Sequence, residues 1–243
     1  MAALNLYCRI PFGWLHKTNP DIVALAEAIG RTPSSVAMKC CNLASLDPQH
    51  KARGVRGLTK ASQLDAAVWD EFRRHTETFG YESELAFARQ THQEPRIAES
   101  VNWEDVQGLD RQAVTKVRVS QHLFRSMILA GYRNECAVCR LPIRSLLVAS
   151  HIVPWSVDRT LRMNPRNGIC MCALHDRAFD EGVLLIRSDY CIALALPSRA
   201  PSTNIAVERF LVAFDGRSIT VPDRWPPEPA LLDRHNDLFA SHL

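Results

Sequence analysis

The stretch from Cys136 to Gly182, CAVCRLPIRSLLVASHIVPWSVDRTLRMNPRNGICMCALHDRAFDEG, decides the fold of the C-terminal half. An apolar run, Leu146 to Ala149, reads as a strand that ends at His151. Asn167-Gly168 is a turn signal ahead of a second short apolar run, Ile169 to Met171. Ala173 to Glu181 then reads as a short helix holding His175 and closed by Gly182. A hairpin followed by a helix can gather His151, Asn167 and His175 around one cation, although they are far apart in sequence.

Three segments, SHIVPW (150–155), NPRNG (164–168) and LHDRAFDEG (174–182), resemble the core of the HNH endonucleases, in the form of a restriction- and defence-type branch. The resemblance implies a ββα-metal fold and metal-dependent hydrolysis of phosphodiesters. The residue types suit that chemistry. Water at neutral pH is a poor nucleophile and needs a base, and imidazole, with a pKa near 6.5, is suited to the task. His151 is the expected general base. A Lewis acid, Mg²⁺ or Mn²⁺, is needed where charge develops on the phosphate and the leaving oxygen. Expected ligands are His175, Asn167 and Asp180, with His151, Asn167 and His175 as the catalytic set. Many HNH enzymes carry Asp or His just before the base, whereas this chain has Ser150, a poor ligand. Asp176 and Asp180 are the nearest spare carboxylates.

Cys136-x2-Cys139 and Cys172-x2-His175 have the spacing of a four-ligand structural zinc site. The branch resembled does not depend on cysteine at 139 or 172, and one histidine can hardly serve two ions. The reading therefore ranks a structural zinc behind reduced, buried thiols.

The chain has 243 residues, of which 47% are hydrophobic and 23% charged, enough for one or two globular domains. No apolar run reaches membrane-spanning length, and the N-terminus does not read as a signal peptide, so no membrane partner is expected and the cytoplasm follows by default. The net charge of +3 is unevenly spread. Residues 31–60 carry six Lys/Arg against Asp47 alone, and residues 110–144 carry seven against Asp110 and Glu135. Residues 61–109 between them carry four basic and ten acidic side chains. Two basic segments suit contact with phosphates at two places.

Residues 19–46 read as a helix-turn-helix. Asn19-Pro20 and Thr32-Pro33 each supply a cap and a first helical position, and Gly30 ends the first helix. Arg31, Ser34, Ser35, Lys39 and Asn42 are expected to project outward and meet a DNA groove. His50 to Thr59 reads as a basic loop, and Leu64, Val68, Trp69 and Phe72 form a helical stripe. The stretches IPFGWLHKTNPDIVALAEAIGRTPSSVAMK and VRVSQHLFRSMILAGY also resemble segments that precede the core in this branch, and Arg118, Gln121 and Arg125 are further candidates for DNA contact. The expected class is α+β, in three parts: a helical DNA-recognition domain (1–90), a linker (91–110) and the nuclease domain (111–243), with a C-terminal hairpin and helix. Cleavage of both strands of double-stranded DNA with one site per chain points to a homodimer. Two alternatives remain: a non-enzymatic, zinc-stabilised DNA-binding regulator, and a nuclease acting on RNA or single strands.

Overall fold

A computed structural model describes residues 1–54, 62–99, 107–108, 110–196 and 204–239. The chain is α+β and divides into two compact units, Met1–Gly131 and Tyr132–Leu243. The described part of the first unit is helical: α1 (Ala2–Arg9), α2 (Pro20–Ala28), α3 (Pro33–Leu46), α4 (Pro48–Ala52), α5 (Gln63–Arg74), α6 (Thr76–Thr91) and α7 (Arg111–Gly131). Helix α1 packs against α3, α6 and α7. Its Leu4, Asn5, Leu6, Tyr7 and Cys8 are all buried, so it is covered on every side.

The expected helix pair is present. Asn19 accepts from Asp21 N (3.0 Å), Thr32 accepts from Ser35 N (3.3 Å), and Gly30 turns the chain at φ +63°. Beyond it the pattern differs from expectation. His50 is buried in α4 instead of lying in a loop, while residues 55–61 fall outside the described set. The stripe at 61–90 is broken at His75 (φ −133°, ψ 52°) into α5 and α6. Leu64 is 69% exposed, and its neighbour Asp65 faces inward. Burial alone would raise the Asp65 pKa, but bonds from Lys39 and Ser62 outweigh it and hold the carboxyl low.

Helix α7, expected with the second domain, packs on α1 and α6 and so belongs to the first unit. The described part of the expected linker also lies within that unit. Ala98 N donates to Arg118 O (3.0 Å) and Arg96 N to Glu84 Oε1 (3.1 Å).

In the second unit β1 (Leu147–His151) and β2 (Gly168–Cys172) pair antiparallel, Leu147 opposite Cys172 and His151 opposite Gly168. Helix α8 (Ala173–Asp180) follows β2 directly, giving the expected ββα order. A second hairpin, β3 (Leu184–Ile186) and β4 (Ile192–Leu194), precedes α9 (Ile205–Phe210) and α10 (Pro229–Asp237). Gly182 leaves α8 at φ +68°, and a Cβ there would stand 2.3 Å from the Phe239 ring. The position requires glycine both for its backbone and for its neighbour.

Candidate metal centre and active site

Two groups of polar side chains form at opposite ends of the β1–β2 hairpin, about 13 Å apart at ~3.3 Å per strand residue. At the Cys172 end the donors are soft. Cys136 and Cys139 flank a turn in which Arg140 N donates to Cys136 O (2.9 Å) and Arg140 adopts φ +61°. Ala137 N donates to Cys170 O (2.7 Å), which holds this turn against β2. Cys172 ends β2 and His175 lies in the first turn of α8. The three sulfurs and one His175 ring nitrogen all lie within 4.8 Å of one another. His175 Nδ1 is 3.1 Å from Cys172 Sγ and 3.6 Å from Cys136 Sγ, and Cys139 Sγ is 4.0 Å from Cys172 Sγ.

His175 Nε2 sits 2.9 Å from Phe210 O and therefore carries its proton there, which turns the Nδ1 lone pair toward the sulfurs. A hydrogen bond between the free Cys136 and Cys172 thiols lowers the Cys136 pKa and, with burial, raises that of Cys172 to about 11. Four buried or half-buried donors converging in this way fit a four-coordinate cation. This corrects the sequence reading of the cysteines, because the turn carrying Cys136 and Cys139 does reach Cys172 and His175. It also moves His175, expected as catalytic and as a ligand of the catalytic cation. Both of its ring nitrogens are committed to the cysteine group and its support.

At the Gly168 end stands His151. Its Nε2 lies 2.7 Å from Trp155 Nε1 and 3.1 Å from Arg162 O. The two contacts need different tautomers, since indole only donates and a carbonyl only accepts. With the proton on Nδ1, His151 accepts from Trp155. With the proton on Nε2 it donates to Arg162 O, and Nδ1 carries the lone pair. Burial lowers the His151 pKa to about 4, and the nearby Arg162 charge works in the same direction, so the ring is neutral at pH 7.

Asn167 is fully buried. Its Oδ1 accepts from Val153 N (2.8 Å), and its Nδ2 donates to Val153 O (3.0 Å) and Leu161 O (3.4 Å). The amide fastens both ends of the loop after β1, and its oxygen is engaged by backbone instead of being turned to a cation as expected.

Residues 136–187 match the HNH_2 family model of HNH endonucleases. The match starts at the first cysteine of the cluster and ends just after β3, so the likeness to that family falls within the second unit. No curated protein matches the chain.

Within the matched stretch the spare carboxylates fall on one face of α8, four residues apart. The Ser150 hydroxyl is buried and makes no bond of good geometry, yet it stands close enough to Asp176 to oppose the rise in pKa that burial causes there. Asp180 is exposed, yet partial burial of its carboxyl and then the Asp176 charge raise it to about 6. Asp176, passed over as a ligand in the sequence, is thus the carboxylate beside β1. The signal available was its position immediately after His175.

The residues expected on DNA separate into two groups. Arg31, Ser34 and Ser35 are exposed. Lys39 is bound to both Asp65 oxygens (2.9 and 3.0 Å), and Asn42 is buried instead of projecting. Arg118 donates from Nε (3.1 Å) and Nη2 (2.8 Å) to Ala98 O, and Gln121 and Arg125 are half-buried on α7. Among the described residues no helix is long and apolar enough to cross a membrane.

Proposed function

We propose that the protein is a metal-dependent endonuclease of double-stranded DNA, of restriction or defence type, with His151 as general base. The observation that carries this reading is the setting of His151 in an HNH core. A neutral ring ends β1, with Arg162 O positioned to hold a proton on Nε2 and leave Nδ1 to accept one from water. Asp176, with Asp180 beside it, is the proposed holder of the catalytic Mg²⁺ or Mn²⁺. Two neighbouring carboxylates with raised pKa values are a donor set whose repulsion a divalent cation relieves. Bound there, the cation would stabilise charge on the phosphate and the leaving oxygen.

Zinc is the ion proposed for Cys136, Cys139, Cys172 and His175, where it would brace the hairpin. Three thiols kept as ligands suit the reducing cytoplasm. Arg31, Ser34 and Ser35 are the proposed DNA contacts of the helix-turn-helix, and a homodimer would match the two strands of the duplex.

The zinc cluster would equally suit a DNA-binding regulator without activity, and one assay separates the readings. Purified protein is incubated with plasmid and with RNA, each with Mg²⁺, Mn²⁺ or EDTA. Plasmid cleavage that EDTA abolishes supports the proposal. Cleavage of RNA alone changes the substrate, and binding without cleavage of either favours the regulator.

A further inference from the structure

The loop between β1 and β2 places the Arg162 guanidinium over the indole that contacts His151. Arg162 stacks over the Trp155 ring, 4.7 Å from its centroid. Trp155 in turn points its N–H at His151 Nε2 (2.7 Å), and Arg162 O approaches the same nitrogen (3.1 Å). Arg162 is therefore connected to His151 twice, once through its own backbone and once through the indole under its side chain. Asn167 donates to the carbonyl of the preceding residue, Leu161, so a fully buried amide fixes the backbone that carries it.

Three other arginines of the second unit have acidic partners. Arg166 faces Glu228 (3.7 Å), Arg177 pairs with Glu181 (2.5 Å) and Arg234 with Asp158 (3.0 Å). Arg162 forms no ion pair among the described residues, and its Nε, shut off from solvent, has no hydrogen-bond partner there. A donor shut off from solvent without a partner is costly, and an anion reaching this half-buried side chain would supply one. The anion that comes to a nuclease base is a phosphodiester, and a planar fork of N–H donors matches two phosphate oxygens.

We propose that Arg162 binds the phosphodiester attacked at His151, with its guanidinium on the non-bridging oxygens. The proposal rests on the nuclease reading above and adds to it a second, protein-borne electrophile. Charge gathers on those oxygens as water attacks, so the guanidinium holds the transition state more tightly than the ground state. Trp155 serves as the platform that keeps the fork facing the phosphate.

The test uses the full chain with Mn²⁺ on two substrates, plasmid DNA and bis(p-nitrophenyl) phosphate, a small diester that needs no DNA recognition. Arg162→Ala should lower kcat roughly 10²-fold on both, with a smaller change in KM on the small diester. Arg162→Lys should recover part of the loss, and added guanidinium ion should speed Arg162→Ala but not His151→Ala. Melting temperatures verify the fold, and where Arg162→Ala does not fold, Arg162→Lys carries the test by falling below wild type. An active wild type with an unaffected Arg162 variant overturns this proposal alone. So does a defect that guanidinium leaves untouched and that appears only in plasmid affinity. A wild type inert on both substrates overturns the nuclease reading and this proposal together.

Discussion

At the Cys172 end of the hairpin, His175 has Nδ1 among three sulfurs and Nε2 on Phe210 O, and nothing about it is left to change. At the Gly168 end, His151 has two incompatible partners at one nitrogen and can move a proton between its two. The same side chain is saturated in one place and poised in the other. The difference lies in second partners: a carbonyl alone fixes a tautomer, whereas a carbonyl competing with an indole N–H leaves two tautomers within reach.

The largest expected effect tests the saturated end. One zinc per chain should be found by metal analysis, and removing it, or making Cys136→Ser, should unfold the second unit, because structural zinc supplies on the order of 10 kcal/mol to such folds. Metal loss that leaves near-UV circular dichroism intact would erase the contrast between the two ends.

Next comes the poised end. His151→Ala should lose about 10²–10⁴-fold in cleavage rate while keeping its zinc and melting temperature. His175→Ala should lose zinc and fold together. Equal behaviour of the two variants in metal content would break the comparison.

A smaller effect concerns acid. Burial lowers the pKa of His235, stacked on Phe179 at 3.7 Å, to about 4, as it does for His151. The unfolded chain takes up these protons near pH 6.5 and the folded chain only near pH 4. Stability should therefore fall as pH drops through that window and level off below it, by at most about 1.4 kcal/mol per pH unit for each histidine. His235→Phe should flatten part of the slope in urea titrations, and an unchanged slope would mean His235 is not held neutral.

The smallest effect should come from Trp155→Phe. It removes the donor that competes for Nε2 while keeping a ring under Arg162, so cleavage should stay within about threefold of wild type, where a lost general base costs at least about 10²-fold. A loss as large as that of His151→Ala would instead make the indole N–H essential to the base.

The ββα order, the two proline-led caps and Gly182 were legible in the sequence because each is set by neighbours along the chain. The ion served by His175 was not, because it depends on a turn at Arg140 with φ +61° and on a carbonyl at Phe210. Lys39 looked like a groove contact because its partner Asp65 lies across 26 positions.

The fit between Gly182 and Phe239, together with His235 on Phe179, has a consequence for how the protein is made. Residues 147–180 leave the ribosome well before residues 229–239. Until the later segment arrives, the far side of α8 shows Phe179 to whatever is nearby. A nascent chain paused in that interval presents a sticky half-core, so the pace of translation through the intervening stretch bears on yield as much as the stability of the finished fold does.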